Sequence, residues 1–241
     1  MCGRYRLSRP KDIVEFFDAH LEAEALDEDF RASYNIAPTQ EVATVRASAD
    51  AARPVQRVIQ QMRWGLVPSW AKDISIGNRL INGRSETVLE KPAFRDSFRQ
   101  RRCLIPADGF YEWKRSGKAK RPFHFGMREG GLFAFAGIWD RWRSPEGQIV
   151  RSCSILTTTP NELVEDIHDR MPVILPKAAY EKWLTVPPEQ ADGLVELLAP
   201  FDANLMRRYE VSSLVNRAEN DSAECAVEAG PAVGHNLELW G

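Results

Sequence analysis

The sequence predicts an α+β fold: a single domain built on a bent, mostly antiparallel β-sheet with peripheral helices. Three observations predict it. Six runs, at 42–46, 55–64, 101–113, 122–127, 132–140 and 149–158, are rich in β-branched and aromatic residues and are bounded by turn residues, the composition of strands. Helical patches at 85–90, 92–100, 160–166, 176–184 and 190–198 interrupt these runs, without the regular alternation that builds a doubly wound parallel sheet. No internal repeat, low-complexity tract or long linker divides the 241 residues, a length that can bury one sizeable core.

Local signals fill in the elements. Ser8 and Pro10 are expected to open a helix, a capping hydroxyl followed by a proline whose missing N–H costs little in the first turn. Ile13, Phe16, Phe17, His20 and Leu21 then recur at helical spacing. In GFYEW (109–113) the strand period of two puts Phe110 and Glu112 on one face and Tyr111 and Trp113 on the other. WGLVPSW (64–70) reads as a Gly/Pro loop between two tryptophans. The polar, small-residue stretch AENDSAECAVEAGPAVG near the C-terminus is expected to be loosely packed.

Composition excludes several classes. Hydrophobic content of 44% and charged content of 27% are ordinary for a globular protein, and no stretch approaches the roughly 18 apolar residues of a membrane span. MCGRYRLSRP carries charge without an apolar run behind it, so no secretory signal is expected and the protein is read as cytoplasmic. Cys2, Cys103, Cys153 and Cys225 form no CxxC pair, which argues against a zinc ribbon or a thioredoxin-like motif. The acids and histidines show no ligand spacing, and neither metal nor cofactor is expected. The net charge of −2 is unevenly spread. From Arg79 to Arg121 there are 12 Lys or Arg against 5 Asp or Glu, and from Asp12 to Asp29 there are 8 acids and no Lys or Arg. The basic block is equally a phosphate footprint or a solvated face.

Cys2 stands out by its address. Removal of Met1 would leave an α-amine and a β-thiol on adjacent carbons, with ordinary pKa values of about 7.7–8.0 and about 8.5. Such a 1,2-aminothiol condenses with an aldehyde to an imine, and the sulfur then closes on the same carbon to give a thiazolidine. Acyl transfer is a second use of the same residue, and a small residue that merely follows Met1 is a third. Glu112 lies among large aromatics, and His168 in IHDRMPVIL (167–175) has the side chain best suited to proton shuttling near neutral pH. Trp70, Asn82 and Arg84 lie in loops whose aromatic and cationic groups suit unpaired bases and phosphates. His20, His124 and His235 are weaker candidates.

In order along the chain, MCGRY (1–5), YNIAPTQ (34–40), WGLVPSW (64–70), INGRSET (81–87), ADGFYEW (107–113), the TTTPN region (157–161), IHDRMPVIL (167–175) and VSSLVN (211–216) resemble the SRAP (SOS response-associated peptidase) family. The resemblance spans residues 1–226, with 227–241 left as a tail. It implies a positively charged cleft for single-stranded DNA and single-strand/double-strand junctions containing abasic sites, worked by a monomer near damaged nucleoid DNA. It maps the family's catalytic residues onto Cys2, Asn82, Glu112 and His168, with Cys2 forming a thiazolidine crosslink to the ring-opened sugar. His168 would shuttle a proton in ring opening, Glu112 would hold the Cys2 amine, and Asn82 would bond the sugar or the Cys2 backbone. Slow reversal, or β-elimination through the imine, is also implied. Arg4, Arg84 and Arg170 would bind phosphates, Trp70 and Trp113 would pack on bases, and Asn35, Pro38 and Thr157 would form the cleft wall. Bacterial members often have Ala where this chain has Gly83. Two other readings remain open: a cysteine autopeptidase using Cys2, Glu112 and His168, and a single-strand-binding module in which Cys2 is incidental.

Overall fold

The computed structural model describes residues 2–21, 31–48, 56–117 and 119–230. In chain order the strands are β1 (Tyr5–Leu7), β2 (Ala19–Leu21), β3 (Ser33–Ile36), β4 (Glu41–Ala47), β5 (Arg57–Trp64), β6 (Asn82–Arg84), β7 (Arg102–Ala107), β8 (Gly109–Ser116), β9 (Ala119–Met127), β10 (Phe133–Arg143), β11 (Ile149–Thr158), β12 (Met171–Pro172), β13 (Ile174–Leu175) and β14 (Met206–Glu210). The α-helices are α1 (Ile13–Phe17), α2 (Arg95–Gln100) and α3 (Tyr180–Thr185). The α+β class is as expected, but the strands sort into two sheets rather than one. The smaller has the order β14-β9-β8-β1-β3, and the larger β12-β11-β10-β7-β4-β5-β2, with β13 on β10 and β6 on β11. A parallel pairing of β5 with β11 through Arg63 and Trp64 closes β5, β4, β7, β10 and β11 into a ring. Among the described residues only this pair, β2–β5 and β6–β11 are parallel.

The apolar run expected as one strand over 101–113 is the joint between the sheets. β7 belongs to the larger sheet and β8 to the smaller, and the break falls at Asp108. Its carboxylate, 5% exposed, accepts from Arg6 Nε at 2.7 Å, the Ser8 N–H at 2.9 Å and the Ser8 hydroxyl. Asp108 N–H donates to the Arg6 carbonyl at 3.1 Å. One buried acid therefore fixes β1 against the start of β8. Gly109 follows because nothing larger fits: a Cβ there would lie 2.0 Å from His124 Nε2. Across the joint, Phe110 stacks on Phe125 at 5.0 Å and meets Phe135 of β10 edge-on at 6.1 Å. Tyr5 of β1 touches both Trp64 and Phe135 edge-on. Each such buried ring contributes roughly 1.5–3 kcal/mol.

The helices are shorter than their patterns. Ser8 spends its hydroxyl and N–H on Asp108 and caps nothing, and Pro10–Asp12 is a 3-10 turn. α1 stops at Asp18, whose left-handed φ of 48° turns the chain so that His20 and Leu21 enter β2 beside β5. The 85–90 patch begins as a 3-10 turn over Ser85–Thr87, and 188–197 is 3-10 throughout. Residues 160–166 form turns, not a helix. There Asn161 Oδ1 accepts from the Leu163 and Val164 N–H groups while its amide donates to the Phe201 carbonyl.

The stretch expected to be loosely packed is tied down over its described part. Asn35 Nδ2 donates to the carbonyls of Val215, Arg217 and Asn220, Cys225 is fully buried, and Glu228 bridges Val211. This strap packs Tyr111, Val211, Val215 and Cys225 into a small second core. Residues 231–241, most of the expected tail, lie outside the described residues.

Asp108→Ala removes the partner of Arg6 at the joint and should cost about 3–5 kcal/mol, read as a lowered denaturant midpoint. Asn35→Ala strands three strap carbonyls and should cost about 1–3 kcal/mol, with faster proteolysis after residue 211. Wild-type stability in either variant would contradict these assignments.

Candidate functional site: three side chains around Cys2

The joint places Cys2. Beyond β1 the Tyr111 N–H still donates to the Arg4 carbonyl at 3.0 Å, so the N-terminal segment runs alongside β8. Cys2 is fully buried within the main core. Its thiol is pushed well above the ordinary range, first by burial and then by the charge of Glu112. At neutral pH the sulfur is therefore a thiol and not a thiolate.

Asn82 arrives from the larger sheet. Gly65 ends β5 at φ 129°, where a Cβ would lie 2.7 Å from the Gly77 carbonyl oxygen. This close crossing of two loops, with Trp64 Nε1 donating to the Ile81 carbonyl at 2.9 Å, sets the start of β6. β6 pairs with β11, Asn82 opposite Ile155. Asn82 Nδ2 then donates to the Cys2 carbonyl at 2.8 Å. Its Oδ1 is buried without a hydrogen-bond partner among the described residues, leaving one acceptor for a further donor at this point.

Glu112 comes from β8 on the face of Phe110, as the period of two predicts. It is 2% exposed, and burial raises its carboxyl from near 4.5 to about 7. The group is thus shared between acid and carboxylate at neutral pH, which suits proton transfer in both directions. His168 Nε2 lies 3.9 Å from Glu112 Oε2. The Arg170 N–H donates to His168 Nδ1 at 3.0 Å, so in the neutral ring Nδ1 accepts and the proton sits on Nε2, facing Glu112. The exposed Asp169 carboxylate also lies 3.0 Å from Nδ1. A backbone N–H can only donate, so it decides the tautomer. Burial lowers the His168 pKa, with the nearby Arg115 cation acting in the same sense.

Two clefts flank this group. One, of about 470 Å³, is lined by Glu112 and His168 with Arg4, Trp113, Arg115 and Lys120. The other, of about 590 Å³ and mainly apolar, is lined by Asn82, Trp70, Arg79, Arg84 and Phe94. Trp70 is 56% exposed and Arg84 is exposed. Trp113 donates from Nε1 to Asn216 Oδ1 at 2.7 Å, and Arg4 lies over its ring at 5.9 Å.

Several expected cleft residues lie behind the cleft instead. Asn35, 1% exposed, spends its amide on the strap and accepts from Arg4 at 2.8 Å. Thr157 is fully buried, with its hydroxyl 3.4 Å from the Gly83 carbonyl. The Arg170 guanidinium is engaged by both oxygens of Glu86, at 2.5 and 2.9 Å, and by the Thr157 carbonyl. It buttresses the turn that presents His168. Pro38 is partly exposed and lines neither cleft. Sequence reasoning missed Glu86, an acid inside the basic block and two residues after Arg84, and Asn216, the last residue of VSSLVN. It also passed over Arg115 and Lys120.

A family model for the SOS response associated peptidase (SRAP) matches residues 1–218. The chain is 46% identical to the abasic site processing protein YoqW of Bacillus subtilis (strain 168), across 93% of this chain and 98% of that one. It is 31% identical to the abasic site processing protein HMCES of Rattus norvegicus, across 95% and 76% respectively. A crystal structure of a protein from Bacteroides thetaiotaomicron superposes with a TM-score of 0.84 at 26% identity, covering 95% of this chain and all of the other. The chain belongs to the SRAP family.

Proposed function

We propose that this protein processes abasic sites in single-stranded DNA by forming a covalent thiazolidine between Cys2 and the ring-opened sugar aldehyde. The observation that carries the reading is the convergence on one cysteine. Asn82 holds the Cys2 carbonyl, and Glu112, with His168 3.9 Å from it, exerts its charge on the Cys2 thiol. The names of the relatives, abasic site processing proteins, favour the same substrate.

The chemistry then follows from the protonation states. Cleavage of the Met1–Cys2 peptide bond turns the Cys2 nitrogen from an amide into a nucleophilic amine. His168 Nε2–H donates to the sugar-ring oxygen as the C1′–O4′ bond breaks, the Glu112 carboxylate takes the proton of the C1′ hydroxyl as that oxygen becomes the aldehyde carbonyl, and Glu112 returns a proton to His168 Nε2, so the opening leaves no net proton change. The amine adds to C1′, and water leaves carrying both amine protons and the carbonyl oxygen. The thiol then adds across the imine: sulfur bonds to C1′, and the S–H proton passes by way of Glu112 to the ring nitrogen. One water is lost overall, and no redox partner is required. A sulfur held as a thiol by burial favours this order, amine first and sulfur second. The same protonation state disfavours the autopeptidase reading, in which the thiolate must attack first. Arg4, Arg84, Trp70 and Trp113, placed along the two clefts, are proposed to hold the strand on either side of the lesion. Pro38 is proposed to stand at its margin.

Incubation with a single-stranded oligonucleotide carrying one abasic site should give a slow band on a denaturing gel. Cys2→Ser should lose it, because an oxygen in that place forms no thiazolidine, and protein that retains Met1 should also fail, as intact mass can verify. No band from wild-type protein lacking Met1 would overturn the proposal. Burial of Glu112 makes a second expectation. The folded carboxyl titrates at about 7 and the unfolded one near 4.5, so the folded state holds the extra proton between these values. Stability is therefore greatest below this window and falls as pH rises through it, by about 3 kcal/mol in all. Glu112→Gln should flatten that part of the profile in denaturant titrations at pH 5 and pH 8. An unchanged slope would remove Glu112 from the buried site.

A further inference from the structure

We propose that the free end of the β8–β9 hairpin is a phosphodiester subsite, in which Arg115 and Lys120 grip a backbone phosphate next to the reacting sugar. The inference rests on the abasic-site reading and adds a contact that neither the motifs nor the relatives' names assign.

The hairpin outruns its neighbours. β1 pairs with β8 only at Gly109 and Phe110, and β14 pairs with β9 only from Phe123 onward. What remains is a two-stranded ribbon whose sequence, KRSGKAKR over 114–121, holds five cations and no acid. Lys118 lies outside the described residues. Lys114 pairs with Asp166 and Arg121 with Glu210, so these two are locally neutralised. Arg115 and Lys120 are exposed, and among the described residues no ion pair includes them. They are also direct cross-strand partners in the ladder. Like charges directly opposite one another destabilise a sheet by a few tenths of a kcal/mol to about 1 kcal/mol.

Protection of an open edge is the ordinary use of such lysines, but it does not require them to face a cavity. Here both line the same cleft as Glu112 and His168. The charge of Arg115 reaches the His168 ring. Arg4 enters the cleft from the other side, held by Asn35 and the Val215 carbonyl. Three cations thus line a cleft whose one lining carboxyl is largely desolvated, an excess that a bound anion offsets. A phosphodiester adjoining the C1′ aldehyde is the anion that a substrate of this site carries. It bridges the cross-strand pair, turning their repulsion into two charge-assisted contacts.

The test is the salt dependence of equilibrium binding to an undamaged single-stranded oligonucleotide, together with adduct formation on its abasic counterpart. Wild type, Arg115→Gln/Lys120→Gln and Lys114→Gln/Arg121→Gln are compared, the two double variants having the same net charge. The Arg115/Lys120 variant should bind on the order of tenfold more weakly near 0.15 M salt, with a log–log slope shallower by about 0.7, the value for one phosphate on a single strand. The Lys114/Arg121 variant should keep the wild-type slope. The Arg115/Lys120 variant should also melt no lower than wild type, since a repulsion is removed. Equal slopes for wild type and the Arg115/Lys120 variant, an equal loss in both double variants, or no salt-dependent binding by wild type would each overturn the subsite. If wild type binds with the expected slope change but forms no adduct, the subsite stands and the thiazolidine proposal falls. If adducts form and the slopes are equal, only the subsite falls.

Discussion

The buried carboxylate of Asp108 is the contact on which the site's geometry depends. It sits where a single apolar run leaves one sheet and enters the other, and it holds Arg6 and Ser8 from the N-terminal segment. Burying a charge is costly unless it is paired and hydrogen-bonded, and here three donors meet it. The consequence is positional. Arg6 fixes β1, and the ladder from β1 to β8 carries the register on to Arg4 and Tyr111, so Cys2 runs beside the strand that bears Glu112. A cysteine near the end of a chain would otherwise fray. The corner and the Asn82 bond at the opposite sheet together hold it in place.

The site is built by burial more than by charge pairing. Removing water from Glu112 brings it to a neutral-range pKa, and removing water from Cys2 keeps its sulfur protonated. In the proposed reaction the first effect makes a proton carrier and the second delays a nucleophile. The result differs from a cysteine hydrolase, in which a cation or helix N-terminus activates the thiolate. His168 is fixed by its own turn, and Arg170, locked by Glu86, supplies the N–H that sets the ring tautomer. Arg84, Arg115 and Lys120 remain exposed at the clefts, where in the proposed reading they meet a polyanion without being desolvated first.

The strands were legible because their period and composition are local properties. Phe110 and Glu112 share a face in the structure as they do in the pattern, and the runs at 42–46, 122–127, 132–140 and 149–158 are all strands. Helix ends were less legible, because tertiary partners took the capping groups. Ser8 serves Asp108, and Asn161 organises turns where a helix was expected. The closure of the larger sheet through β5 and β11 pairs residues nearly ninety positions apart, which no local period encodes. Cys2 and the three residues about it, Asn82, Glu112 and His168, were readable as candidates from motifs in order. Whether a motif residue lines the cleft or supports it from behind was not, as Asn35, Thr157 and Arg170 show. That distinction is set by burial, which depends on the strap and on Glu86.

The central claim is that both the nitrogen and the sulfur of Cys2 are bonded to C1′. Its most direct test is the digested adduct: treat the crosslinked protein with nuclease, protease, borohydride and a thiol-alkylating reagent, then measure the mass of the N-terminal peptide. A thiazolidine predicts the peptide plus the sugar remnant less one water, with no hydrogen gained from borohydride and no alkylation at Cys2. A gain of two hydrogens, an alkylated Cys2 sulfur, or a remnant carried by another residue would contradict it.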